Sequence, residues 1–151
     1  MTAATGLGKA RLYNLFPGGK QQMLAEVLAD VCEWFEDHVF TPLDQDHPDI
    51  DGMFEVVTGY FDSGRGLCLV GRIGREPGLG GLGDASAGHF VRWQESFAGA
   101  LHRDGRTKAD AEVLAEEVVA GIQGALILAH TRNEPAIFTR AINRLQRAVT
   151  R

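Results

Sequence analysis

The chain has 151 residues, enough for one domain with a single sizeable core. Its 44% hydrophobic and 23% charged content is ordinary for a globular protein and argues against disorder. The net charge of −5 argues against a nucleic-acid partner, but it is unevenly placed: residues 1–25 hold three basic residues and no acid, residues 26–131 hold 7 basic and 19 acidic residues, and residues 132–151 hold five arginines against Glu134. A short basic segment thus precedes an acidic body.

The opening Met1–Gly6 lacks the charged and apolar regions of a signal peptide, and no uninterrupted apolar run approaches a membrane span, so a cytoplasmic chain without membrane contact is expected. Two cysteines, Cys32 and Cys68, are too few for a disulfide scaffold and read as reduced, buried thiols.

No stretch alternates apolar and polar residues with β-branched enrichment, so the expected class is all-α, with about seven helices. In chain order, Gly8–Phe16 is a short helix ended by Pro17-Gly18-Gly19. From Lys20, apolar residues at three- and four-residue spacing predict a long helix to about His38, stopped by Thr41-Pro42. Asp49 caps a helix carrying Met53, Phe54, Val57, Tyr60 and Phe61, which Ser63–Gly66 ends. Leu67–Ile73 fits helix or strand by periodicity, and its surroundings favour helix. After a glycine-rich loop at Pro77–Gly83, Asp84 or Ser86 caps a helix through His102. Thr107 opens a helix to about Ala129, and Asn133-Glu134-Pro135 starts the last one.

Gly78, Gly80 and Gly83 formally fit G-x-G-x-x-G, but no strand feeds that turn and no βαβ unit follows, so a plain interhelical connection is the better reading. The five histidines form no His-Glu-x-x-His pair, and His38, four residues after Trp34, suits packing rather than coordination. No nucleophile elbow is present, and the apolar neighbours of Cys68 would raise its thiol pKa. Neither an enzyme nor a cofactor is expected.

The sharpest local pattern is Gly6-Leu7-Gly8-Lys9-Ala10-Arg11-Leu12-Tyr13-Asn14-Leu15-Phe16-Pro17-Gly18-Gly19-Lys20. Lys and Arg on a short helix suit phosphate contact, and Arg, Tyr and Asn can reach base edges, although a solvated basic turn has the same composition. This stretch resembles the turn, recognition helix and following helix start of TetR-family transcriptional repressors. The stretches Gly66–Val70 and Gly121–Pro135 are more loosely similar to a subgroup of TetR effector domains. The resemblance implies that Lys9, Tyr13 and Lys20 touch phosphates and that Arg11 and Asn14 lie in or beside the major groove. Family members carry a first helix and most of a scaffold helix before this point, whereas here only Met1–Thr5 precede the turn. The expected organisation is therefore a partial helix-turn-helix over residues 1–19 and an effector-binding, dimerising domain over residues 20–151, with operator contact doubtful for a reader lacking its packing partners.

Two further sites are expected. Apolar positions in the last two helices, Leu114, Val118, Gly121, Ile122, Ala125, Leu126, Phe138, Ile142 and Leu145, would form a two-fold interface, with Gly121 and Gly124 permitting close approach. Trp34, Phe54, Tyr60, Phe90, Trp93 and Phe97, with Cys68, His89 and Gln123 as polar contacts, would line a pocket for a small hydrophobic effector. The expected protein is a TetR-like, ligand-responsive regulator and probable repressor. The alternative is a stand-alone small-molecule-binding and dimerisation module that binds no DNA.

Overall fold

The computed structural model describes residues 19–66 and 68–150. The expected helix at Gly8–Phe16 and the basic residues Lys9, Arg11, Tyr13 and Asn14 lie outside the described residues. Six helices and no strand are found among the described residues: α1 Gly19–Phe35, α2 Ile50–Tyr60, α3 Leu69–Arg75, α4 Leu82–Arg103, α5 Lys108–Thr131 and α6 Ala136–Val149.

α1 does not stop at Thr41-Pro42. It passes through a π-helical stretch, Glu36–Phe40, and closes with one more α turn, Thr41–Leu43. In the wide turn the Thr41 N–H bonds to the Glu36 carbonyl, five residues back. That register makes room for Pro42, which has no N–H to give and whose ring would crowd a regular helix. α4 fastens this end. The Arg92 guanidinium donates to Glu36 through Nε at 3.2 Å and Nη2 at 2.7 Å, and to Asp44 at 2.7 Å. Arg103 donates to the Leu43 carbonyl at 2.6 Å.

Two side-chain caps fall where expected: Asp49 accepts from the Gly52 N–H at 2.9 Å, and Thr107 from the Asp110 N–H at 3.1 Å. At the start of α4 the expectation fails. Gly81 is the cap residue, Asp84 lies in the first turn, and Ser86 is buried inside the helix beside Gly74. The stretch expected as a loop at Pro77–Gly83 is an interhelical connection only up to Gly81, with positive φ at Gly78 and Gly80, and Leu82 and Gly83 already belong to α4.

The main core joins α2, α4, α5 and α6 to the C-terminal end of α1, with Phe54, Trp93, Phe97, Ile122, Leu126 and Phe138 fully buried. A smaller cluster packs Leu24 and Leu28 of α1 on Val70 and Ile73 of α3. α1 thus rests on the main core at one end and on α3 at the other. The 24-residue α5 is long and apolar enough to cross a bilayer, contrary to the expectation that no segment is. Glu116, Glu117 and Gln123 interrupt its apolar run, but the remaining residues keep its mean hydropathy high. Its place in the core accounts for part of this, since Ala115, Val118 and Ile122 are wholly enclosed by their own chain, while 39% of the apolar stretch is buried in all.

Candidate functional site

A cavity of about 460 Å³ opens between α3, α4 and α5. Cys68, Gly71, Arg72 and Arg75 form one wall, Phe90 another, and Gln123, Leu126, Ile127, His130 and Thr131 the third. The volume lies in the range that small-molecule sites occupy, about 300–1,000 Å³.

Local sequence sets this wall. Cys68 is the cap residue of α3, its Sγ accepting from the Gly71 N–H at 3.4 Å. Burial pushes the Cys68 thiol pKa up, opposed by the Gly71 N–H and the neighbouring Gln123 amide, so the sulfur is a neutral cap. A side chain at Gly71 would come within 3.0 Å of Gln123 Oε1 and 3.7 Å of the Phe90 ring, so glycine keeps the floor open. Gln123 Nε2 is buried without a well-formed hydrogen bond, and the Cys68 sulfur is the polar group near enough to feel it. A buried amide donor with nothing to donate to costs about 1–3 kcal/mol.

Three of the nine expected ligand contacts, Cys68, Phe90 and Gln123, come together here. The others do not. Phe54, Trp93 and Phe97 are sealed in the main core, because each sits where two or more helices converge. His89 is also buried, edge-on to Phe35 at 4.9 Å and packed by Phe40, Phe90 and Trp93. Trp34 and Tyr60 pack at a tilt with centroids 4.6 Å apart, and Trp34 stacks on His38 at 4.5 Å, consistent with a packing role for that histidine. The lining residues missed were Gly71, Arg72, Arg75, Ile127, His130 and Thr131, together with Leu126, expected at the two-fold interface. Arg72 and Arg75, three apart on a short helix beginning at the recognised Cys68, were the available signal.

The expected two-fold interface needs a larger correction. Val118, Ile122, Leu126, Phe138 and Ile142 are buried by their own chain, so no partner can reach them in this conformation. The α5–α6 pair has two apolar sides, and one already faces the core. Leu114 is half-buried against that same core. Gly121, Ala125 and Leu145 line a shallow outer groove with Gly124, Leu128, Ile137, Ala141 and Arg144. Val113 and Leu128 stand 61% and 51% exposed on α5, and Leu128 is one of the residues lining that groove. Of the proposed DNA contacts only Lys20 is described, exposed in the first turn of α1.

Residues 75–144, from the end of α3 through most of α6, match the family model described as the transcriptional regulator LmrA/YxaF-like, C-terminal domain. Those residues are therefore similar to the C-terminal domain of TetR-family regulators. No curated protein matches the chain, and no solved structure does.

Proposed function

We propose that this chain is a TetR-like transcriptional regulator whose cavity between α3, α4 and α5 binds a small, largely apolar effector. It would dimerise through the outer side of α5 and α6. The observation that carries the effector reading is the unpartnered Gln123 amide on an otherwise apolar cavity floor, a donor that a bound molecule would satisfy. The exposed Leu128, which lines the groove with Gly124, Ile137 and Ala141, supports a second copy of this chain as its occupant.

α3 supplies the coupling. Gly71, Arg72 and Arg75 face the cavity, while Val70 and Ile73 on its other side pack on Leu24 and Leu28 of α1. The loop after α3 is also tied to α1, through Gln21 Nε2 donating to the Leu79 carbonyl at 3.3 Å. A ligand that binds one position of α3 better than another shifts α1, which carries Lys20 and follows Lys9, Arg11, Tyr13 and Asn14 in the sequence.

The test is a mobility-shift titration on DNA from upstream of the chain's own gene, using this chain and a form extended through any in-frame upstream codons. Specific, salt-sensitive binding that a cavity ligand weakens or strengthens supports the regulator. A cavity ligand that binds while neither form recognises DNA favours the stand-alone binding module.

A further inference from the structure

We infer that the ligand of the α3–α4–α5 cavity is an apolar organic acid, with its acid group held by Arg72 and Arg75 and its body on Phe90, Leu126 and Ile127. This deepens the effector reading and rests on it.

The argument begins with charge. Residues 26–131 hold only 7 basic residues against 19 acidic ones. Two of those seven, Arg72 and Arg75, line this one cavity, with His130 across from them on α5, and no carboxylate lines it. Elsewhere in the acidic body, Arg92 is engaged by Glu36 and Asp44. Arg72 and Arg75 have no acidic partner among the described residues; Arg75 donates only its Nε, to the Gly71 carbonyl at 3.2 Å. Its terminal nitrogens remain available for the forked contact that guanidinium makes with carboxylate.

A simpler role exists for both arginines, since cations in the last turn of a helix offset its dipole. That role needs only charge near the helix end. It does not explain why they flank the same opening as the unpartnered Gln123 amide, above a floor of Phe90 and Leu126. A neutral apolar ligand would satisfy the floor and leave the arginines idle, and a small inorganic anion would leave the apolar walls uncovered. An aryl or compact alkyl carboxylate uses both, and an acceptor atom on it can take the Gln123 N–H.

The experiment is isothermal titration of the 151-residue chain with 1-naphthoate and its uncharged counterpart, 1-naphthamide. The same titrations are made on Arg72→Ala/Arg75→Ala, whose two sites are exposed, and on Ile127→Trp, which fills the cavity from an exposed position. Naphthoate is expected to bind at least tenfold more tightly than naphthamide. The double variant should lower naphthoate to the level of the amide and move the amide less than twofold, and Ile127→Trp should weaken both. Equal affinities, or an unchanged naphthoate affinity in the double variant, overturn the preference for an acid. If Ile127→Trp still weakens binding in that case, the cavity stands as a ligand site and only the acid fails. Binding untouched by Ile127→Trp, or no binding of either probe, overturns the proposal, and the first of these also removes the cavity as the effector site.

Discussion

The Leu145 methyl groups lie 3.0 and 3.1 Å from where a Cβ on Gly121 would stand, so the space left by that glycine is already filled from within the chain. Three residues on, Gly124 has nothing within 4 Å. One glycine lets α6 approach α5, and the other borders open space in the outer groove. Gly121→Val should therefore destabilise the fold by about 2 kcal/mol through overpacking. Gly124→Ala should stabilise the monomer by about 0.5–1 kcal/mol through helix propensity. Urea unfolding of the two variants measures both. A stabilised Gly121→Val would show that α5 and α6 are not in this contact.

His89 sets an acid limit on stability. Burial lowers its pKa to about 4, and its Nδ1 has no partner. The unfolded chain binds the proton at the ordinary value near 6.5, so stability is complete above that pH and declines as pH falls toward 4. The loss approaches roughly 3 kcal/mol at the lower end. Unfolding free energies measured from pH 7 to 4 should show this fall, and His89→Leu should flatten it.

Asp44 acts further down the scale. Partial burial alone would raise its pKa, but the Arg92 and Ser96 donors, with the charges of Arg92 and Arg103, hold it below the ordinary carboxylate value. A depressed carboxylate pKa stabilises the fold above the unfolded value, and that contribution disappears as pH falls through the folded one. Because Asp44 is substantially exposed, the effect is below about 1 kcal/mol. Asp44→Asn should reduce stability slightly at neutral pH and shrink the acid-induced loss below pH 4. A variant with an unchanged acid limb would show that the Arg92 bridge contributes nothing.

Ile73 tests the link from cavity to α1. It is buried in the small cluster with Leu24 and Leu28, away from the main core. Ile73→Ala should cost about 2–4 kcal/mol. Hydrogen exchange should speed up in α1 and α3 well before α5. Uniform acceleration across the domain would mean that α3 and α1 do not form a separable unit.

Helix order and most boundaries were legible because caps and periodicity are local: Asp49 and Thr107 each close their own helix start. The extension past Pro42 was not, because it depends on a π turn and on arginines of α4 some fifty to sixty residues away. Periodicity marked the apolar residues of α5 but could not say which of its two apolar sides meets the core. Val118 and Ile122 therefore looked like interface residues and proved to be interior, while Val113 and Leu128 are exposed. The cavity was half legible for a related reason. Its floor residues Phe90 and Gln123 stand out as an aromatic and a polar residue on helical faces, but its charged rim comes from α3, whose distance from α5 no local pattern reveals.

Sedimentation equilibrium at micromolar concentration, run on the chain and on Leu128→Glu, tests most directly that α5 and α6 have one side for the core and one for a partner. The chain should sediment at twice its 16.4 kDa monomer mass, and Leu128→Glu should return it to the monomer with the fold intact. A single 16.4 kDa species for the unaltered chain, or a dimer indifferent to that charge, would contradict it.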